Sequence, residues 1–381
     1  MAAACAVWAA AAALSGFPAL AASPEFAYSE EKWASLRDDR LEFEEIADLV
    51  HEYNDTVIQN EIAYRDEKDK DNDDIAQDYY DAADAIYSNI EYPDSDASDY
   101  GSRMAAALNN ELSAKQLMER GDESTDDSVT LRISYDQTEA TLVKQAQTQM
   151  ISYWNQYYTL DSLRERIRLA EASYASEETR MAAGMSTQAK LLSAKETISS
   201  AEASLQSAES TLAKTKEDLC LMLGWKYGAD VEMGEIPEPD LEKLSSIDLE
   251  ADIQTALESN YNLILTNRRV ANARTEKVKA TQQQTQKNQT EAIAASVRDS
   301  YSSLILAQSS YEQAQQAFVL ESNTLETAGR KLQAGTMTPN DYRKQESSCR
   351  TAEVTLKTRK LQLVQAMVNY DWAVNGLASA S

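Results

Sequence analysis

From Leu191 to Met222 the chain places Leu191, Ala194, Ile198, Ala201, Leu205, Ala208, Leu212, Thr215, Leu219 and Met222 at alternating intervals of three and four residues. Such a 3.5-residue repeat keeps one face of a helix against a neighbour in a left-handed supercoil. Alanine at alternate positions lets the two backbones approach closely. The spacing returns as Tyr342, Gln345, Cys349, Ala352, Leu356, Arg359, Leu363, Ala366, Tyr370 and Ala373, with a second stripe at Val354, Leu361 and Val368. A helix with two apolar stripes packs on two neighbours at once, which suits a wall of helices better than a simple dimer.

The two stretches belong to an internal duplication. With Gly184 set against Gly335, an offset of 151, about seventy residues align without a gap, including Ala183/Ala334, Thr187/Thr338, Ala201/Ala352, Glu202/Glu353, Leu205/Leu356 and Leu212/Leu363. An offset of 206 pairs Glu52/Glu258, Asn54/Asn260, Val57/Leu263 and Ile58/Ile264. The difference places an insertion of 55 residues in the first copy, at about 66–135. The predicted division is a signal peptide over 1–22, a first helical repeat over 40–224, a linker over 225–247 and a second repeat over 248–376.

Composition agrees with long helices. The 381 residues include only 10 Gly and 6 Pro, and none of either between Leu241 and Ala328. Turn residues would punctuate such a stretch in a compact α/β domain. The fold expected is therefore all-α, built from tandem long helical hairpins. Within each hairpin, Ala183-Gly184-Met185-Ser186-Thr187 and Ala334-Gly335-Thr336-Met337-Thr338-Pro339-Asn340-Asp341 read as tip turns. Glycine supplies the left-handed stop, Ser, Thr or Asn the next N-cap, and Pro339 a first helical turn.

Three segments are less regular. Ala280 to Thr290 has no large apolar residue and reads either as a polar loop or as a solvated helical segment. Val129 to Tyr135 alternates like a strand but fits a helix start equally well. The acidic stretch from Tyr92 to Val129, with Pro93, Gly101 and Gly121, reads as a mobile part of the insertion. No alternating run reaches the roughly 9–11 residues of a membrane-barrel strand.

A formal charge of −27 excludes nucleic acid and anionic lipid surfaces as partners, since both recruit Lys and Arg. A solvated acidic surface and a cation-filtering lumen both fit that charge. The apolar run Ala3 to Leu14, the breakers Gly16 and Pro18, and Ala19-Leu20-Ala21 read as a cleaved export signal, too short for an anchor. Cys5 lies within it, while Cys220 and Cys349 fall at different heights of their hairpins and are expected to be buried free thiols. His51 is the only histidine, and no nucleophile elbow, phosphate loop, HExxH or CxxC occurs. No catalysis, cofactor or metal is expected.

Two tandem copies, each with a tip glycine followed by Ser or Thr and then Leu192, Ala194, Ile198, Ala201 and Leu205 in the first copy, resemble the TolC-type outer-membrane efflux proteins. Glu52-Tyr-Asn-Asp-Thr-Val57 and Glu258-Ser-Asn-Tyr-Asn-Leu263 look like that family's N-P-x-L segment with the proline replaced. The resemblance implies a homotrimeric twelve-helix duct in the cell envelope, carrying exported small molecules or proteins. It also implies docking to a membrane-fusion adaptor protein and its inner-membrane pump. Gly184, Met185, Ser186 and Thr187 would form one contact tip, and Gly335, Thr336, Met337 and Thr338 the other. Asp341 would stand at the duct entrance, with Lys190 in the equivalent place of the first copy. The departure is the absence of barrel strands, which leaves open an envelope without an outer membrane. A helical envelope scaffold or binding protein without a lumen is the alternative.

Overall fold

The computed structural model describes residues 27–380, so the export signal read over 1–22 lies outside the described residues. In chain order the elements are α1 (Glu30–Leu36), β1 (Arg40–Leu41), α2 (Ile46–Tyr53), α3 (Asp55–Glu67), α4 (Asn72–Ser88), α5 (Tyr100–Glu123), α6 (Ser128–Ala182) and α7 (Gln188–Met222). They continue with β2 (Glu232–Met233), α8 (Leu241–Ser245), α9 (Leu249–Ser259), α10 (Tyr261–Asn272), α11 (Glu276–Gln333), α12 (Pro339–Trp372) and a π-helical turn at Ala373–Leu377. The strands form one parallel two-residue pair, Arg40 with Glu232 and Leu41 with Met233. The rest is helix and turn, as expected.

Helices α6 and α11 have 55 and 58 residues, about 82 and 87 Å at 1.5 Å per residue. Each returns as the second arm of a hairpin, α7 on α6 and α12 on α11, and α12 also packs along α6. The four long helices thus make a wall in the order α7, α6, α12, α11. The heptad explains the α6–α7 contact residue by residue. Between Leu191 and Leu212 every seam residue is at least partly buried, and every other residue except Ser204 is exposed. On α12, Leu363 and Tyr370 of the first stripe are buried against α11, and Leu361 of the second is buried on the α6 side. Arg359 departs from the stripe, exposed and donating to Gln362 at 2.7 Å.

Two hydrophobic clusters hold the shorter elements to this wall. One joins Trp33, Leu41, Ile46 and Leu49 to Met150, Leu219 and Leu361. The other joins Ile253 and Leu263 to Ile293, Leu304, Leu363 and Tyr370. The wall's other side carries an open groove of about 910 Å³, lined mainly by Ala, Ser, Gln and Asn, with Lys144 and Asp299 its charged residues. Its residues Gln362, Gln365 and Asn369 lie on the arc of α12 between the residues that enter the two clusters, on the side opposite Asp371.

Two ambiguous segments become helix. Ala280–Thr290 lies inside α11, and Val129–Tyr135 forms the first turns of α6, where Asp127 and Thr130 make a reciprocal capping box. The acidic stretch read as mobile is instead largely α5, which lies antiparallel on α4. Their contact is a seam of Ala76 and Ala83 with Ala107, Ala114 and Gly121, at intervals of seven. Side chains this small let the helices come close, so the acidic residues stay in solvent while the backbone is ordered. Cys220 is a buried free thiol, pushed up to about 11 by burial, whereas Cys349 is only partly buried. Among the described residues no helix is long and apolar enough to cross a membrane.

Candidate functional site at the helical tips and wall edges

Both hairpin tips have the same construction. Helix α6 ends at Ala182 with Ala183 as its C-cap, and Gly184 follows with φ of 70°. The Gly184 N–H donates to the Met181 carbonyl at 2.9 Å and the Met185 N–H to Arg180 at 2.7 Å. At the second tip Gly335, with φ of 71°, donates to Leu332 at 3.0 Å, and Thr336 to Lys331 at 2.9 Å. This paired pattern satisfies two terminal carbonyls and requires a left-handed residue. A Cβ on either glycine would meet nothing within 4 Å, so backbone conformation selects glycine here, not space.

The return helices start alike. Thr187 accepts from the Lys190 N–H at 3.4 Å, and Thr338 accepts from the Asp341 N–H at 3.1 Å. Lys190 and Asp341 therefore hold the same place. The Asp341 carboxylate accepts from the Thr338 hydroxyl at 2.7 Å and lies 3.6 Å from Lys344 Nζ, which is capping geometry. Ser186 donates to Glu177, and that bond holds the Glu177 carboxyl below its usual range. Met185 is 65% exposed at the first tip, and Met337 is partly buried at the second. Gly184, Met185, Thr187, Gly335, Thr336 and Thr338 are all exposed. The tips thus present backbone, hydroxyls and one methionine.

A polar node joins the two hairpins between tips and wall centre. Glu165 of α6 is 6% exposed and receives both Arg168 Nε at 2.9 Å and Arg168 Nη2 at 2.7 Å. Arg350 of α12 lies 3.6 Å from it, and Arg168 reaches Glu346 of α12 at 3.4 Å. The hydrogen bond from Arg168 is the main reason that the Glu165 carboxyl sits below its usual range, outweighing burial, with Ser347 and Arg350 adding to it. Sequence reasoning missed this node, although a signal existed. Ile151, Tyr158 and Glu165 are successive heptad positions on α6, and Ser347 precedes Val354 by one heptad on α12.

His51 also has a partner. Its Nδ1 is 2.9 Å from Glu139 of α6, and that hydrogen bond raises the imidazole pKa above its ordinary value despite burial. Among the described residues no group of His, Cys, Asp and Glu is arranged to hold a metal ion.

The wall has two open edges. Within the wall α7 packs only on α6, and α11 only on α12. The free edge of α11 exposes Ile305, Leu306, Val319 and Leu320, the two leucines 69% and 65% exposed. The outer face of α7 exposes Leu192 near the tip and beyond it the small residues Ser199, Ala203, Ser210 and Ala213, with Glu196 and Gln206 among them. Counted from the tip glycines, Leu320 and Ser199 each lie 15 positions away, and Leu306 and Ala213 each 29. Two apolar knobs on one edge thus have small residues at the equivalent positions of the other.

No protein-family model and no curated protein sequence matches the chain. Solved structures do. A membrane protein from Pseudomonas aeruginosa matches over 88% of this chain and 90% of its own, with 13% identity and a TM-score of 0.55. CusC, whose crystal structures bear on transmembrane channel formation, matches over 94% and 98%, with 14% identity and a TM-score of 0.55. The outer membrane protein VceC of Vibrio cholerae matches over 88% and 96%, with 13% identity and a TM-score of 0.52. At such identities the likeness is one of fold, and the chain carries the fold of the TolC-type outer-membrane channels.

Proposed function

We propose that the chain is the protomer of a closed helical duct in the cell envelope, a passive conduit for exported small molecules or proteins. Three copies would complete the ring, α11 of each meeting α7 of the next. The glycine tips would dock an adaptor protein fed by an inner-membrane pump. The observation that carries this reading is the pair of unmatched wall edges. Leu306 and Leu320 leave apolar surface that a lone protomer cannot bury, and the equivalent positions of α7 are the small Ser199 and Ala213. The groove along Gln362, Gln365 and Asn369 supports the same reading, because a ring with the shorter elements outside turns that polar face inward.

Two variants test this. Leu306→Glu with Leu320→Glu should leave the protomer folded, as both are exposed, and abolish trimer cross-links in envelopes. Gly184→Asp with Gly335→Asp strains both tips and adds charge, and should abolish adaptor capture and efflux of a fluorescent substrate in a deletion strain. A chain that stays monomeric with and without partners returns the reading to a helical scaffold. Normal efflux from folded tip variants removes the docking role.

A further inference from the structure

The α4–α5 hairpin has no counterpart in the second repeat, where only Ala273-Arg274-Thr275 separates α10 from α11. Its base is clamped by that junction. Arg274 donates to the carbonyls of Asn72 at 2.6 Å and Gly121 at 3.0 Å and pairs with Asp73 at 2.6 Å. Arg269 pairs with Asp126 at 3.0 Å and Lys277 with Glu123 at 2.9 Å. Asp127 is buried beside them. Burial alone would raise its carboxyl, but hydrogen bonds from Asn272, the Thr130 N–H and Arg268 bring it below the usual range. A base held by so many charged bonds fixes the direction of the hairpin.

Beyond the base, the two helices pack on each other through alanine and glycine, and their large apolar side chains are left outside. Leu108, Leu112 and Tyr92 are 53%, 54% and 58% exposed, and Met118 is exposed as well. Between Asn72 and Glu123 there are 13 carboxylates and 3 basic residues. Acidic charge beside leucine calls for a partner with cations and some apolar surface. The α10–α11 end has cations and the half-buried Val270 and Val278. Lys279 and Lys287 are exposed and form no ion pair among the described residues, in a stretch with Val278 and many Gln.

We propose that the α4–α5 hairpin docks on a second copy of this chain, its acidic, leucine-bearing flank lying against the α10–α11 end of the adjacent protomer. The inference rests on the ring reading above. In a ring of alternating repeats every first repeat stands between two second repeats. Its own supplies the arginine clamp, and the neighbour's offers the same end of α11 to the hairpin's other flank. The hairpin then straps adjacent subunits together at the end away from the tips. Charge attraction across a partly exposed contact makes the strap sensitive to salt.

A photo-cross-linking side chain placed at Leu112, with another at Leu306 as control, tests this in whole envelopes and in purified full-length protein. The expected adduct from position 112 joins two copies and maps to residues 261–290, and position 306 joins α11 to α7. Leu108→Glu with Leu112→Glu should weaken self-association about tenfold while the melting curve is kept. Lys279→Glu with Lys287→Glu should do the same at low salt. Adducts from 306 without any intermolecular adduct from 112, or with one to another protein, overturn the strap and leave the ring. Absence of adducts from both positions overturns the ring and the strap with it.

Discussion

Asn54 and Asn260 do the same double task at equivalent corners of the two repeats. The side-chain carbonyl of Asn54 accepts from the Thr56 and Val57 N–H groups at 3.0 and 3.4 Å, starting α3, while its amide donates to the Met222 carbonyl at 2.8 Å. Asn260 accepts from Asn262 and Leu263 at 3.1 and 3.2 Å, starting α10, and donates to the Ala378 carbonyl at 2.9 Å. Each asparagine thus ties a sharp corner between two short helices to the segment that ends a long return helix.

Both corners are buried, Asn260 completely. Asn260→Ala removes an N-cap and leaves the Ala378 carbonyl without its donor, which should cost about 1–3 kcal/mol. Asn54→Ala should cost slightly less, being 7% exposed. Chemical denaturation of the two variants checks both values, and Asn260→Ser, which keeps only the cap, should fall between Ala and the parent.

The His51–Glu139 contact predicts a pH dependence with a definite sign. The imidazole's folded pKa is raised, first by the hydrogen bond it donates to Glu139, with Glu52 and Glu61 adding to it against burial. A raised folded pKa gives stability that is complete below the unfolded value, near 6.5, and is lost as pH rises through the folded value. The melting temperature of the parent should therefore exceed that of His51→Asn at pH 5.5, and the gap should close in the alkaline range. A gap that is constant with pH would mean a packing role only.

Glu165 predicts the opposite behaviour. Its folded pKa is lowered chiefly by Arg168, so its contribution is complete above the unfolded value near 4.5 and disappears as pH falls through the folded value. Glu165→Gln should lower stability at pH 7 by about 1–3 kcal/mol, since Arg168 and Arg350 lose their buried partner, and should matter less at pH 3 than at pH 7. Thermal melts at the two pH values distinguish this from loss of shape.

Within the α7 heptad, Leu205→Asp places a charge in a partly buried seam and should cost about 2–4 kcal/mol. Ala203→Asp, two residues away on the exposed side, should change stability by less than about 0.5 kcal/mol. Equal effects at the two positions would mean that the heptad does not mark the contact.

Much of this molecule was legible because its signals are local. The spacing Leu191, Ala194, Ile198, Ala201 marks the buried face of α7 whatever lies opposite, since a helix brings those positions to one side. The tips were legible for the same reason, as Gly184 and Gly335 need a left-handed backbone in any hairpin of this type. The two stripes of α12 announced two neighbours, and the structure supplies them as α11 and α6.

Periodicity reports which face is apolar but not which partner meets it, and there the tertiary structure decided. Asp and Gly made the stretch from Tyr92 to Val129 look mobile. Its order comes from Ala107 and Ala114 meeting Ala76 and Ala83, and from Arg274 some 150 residues later. Neither is a property of the segment itself. Glu165 looked like one more solvated carboxylate until α12 brought Ser347 and Arg350 against it. The sequence by itself determined the helices, their tips and their seams, because backbone geometry converts residue spacing directly into a face. The order of the helices in the wall, the burial of Glu165 and the ordering of the acidic hairpin required contacts between distant residues, whose energies no local pattern records.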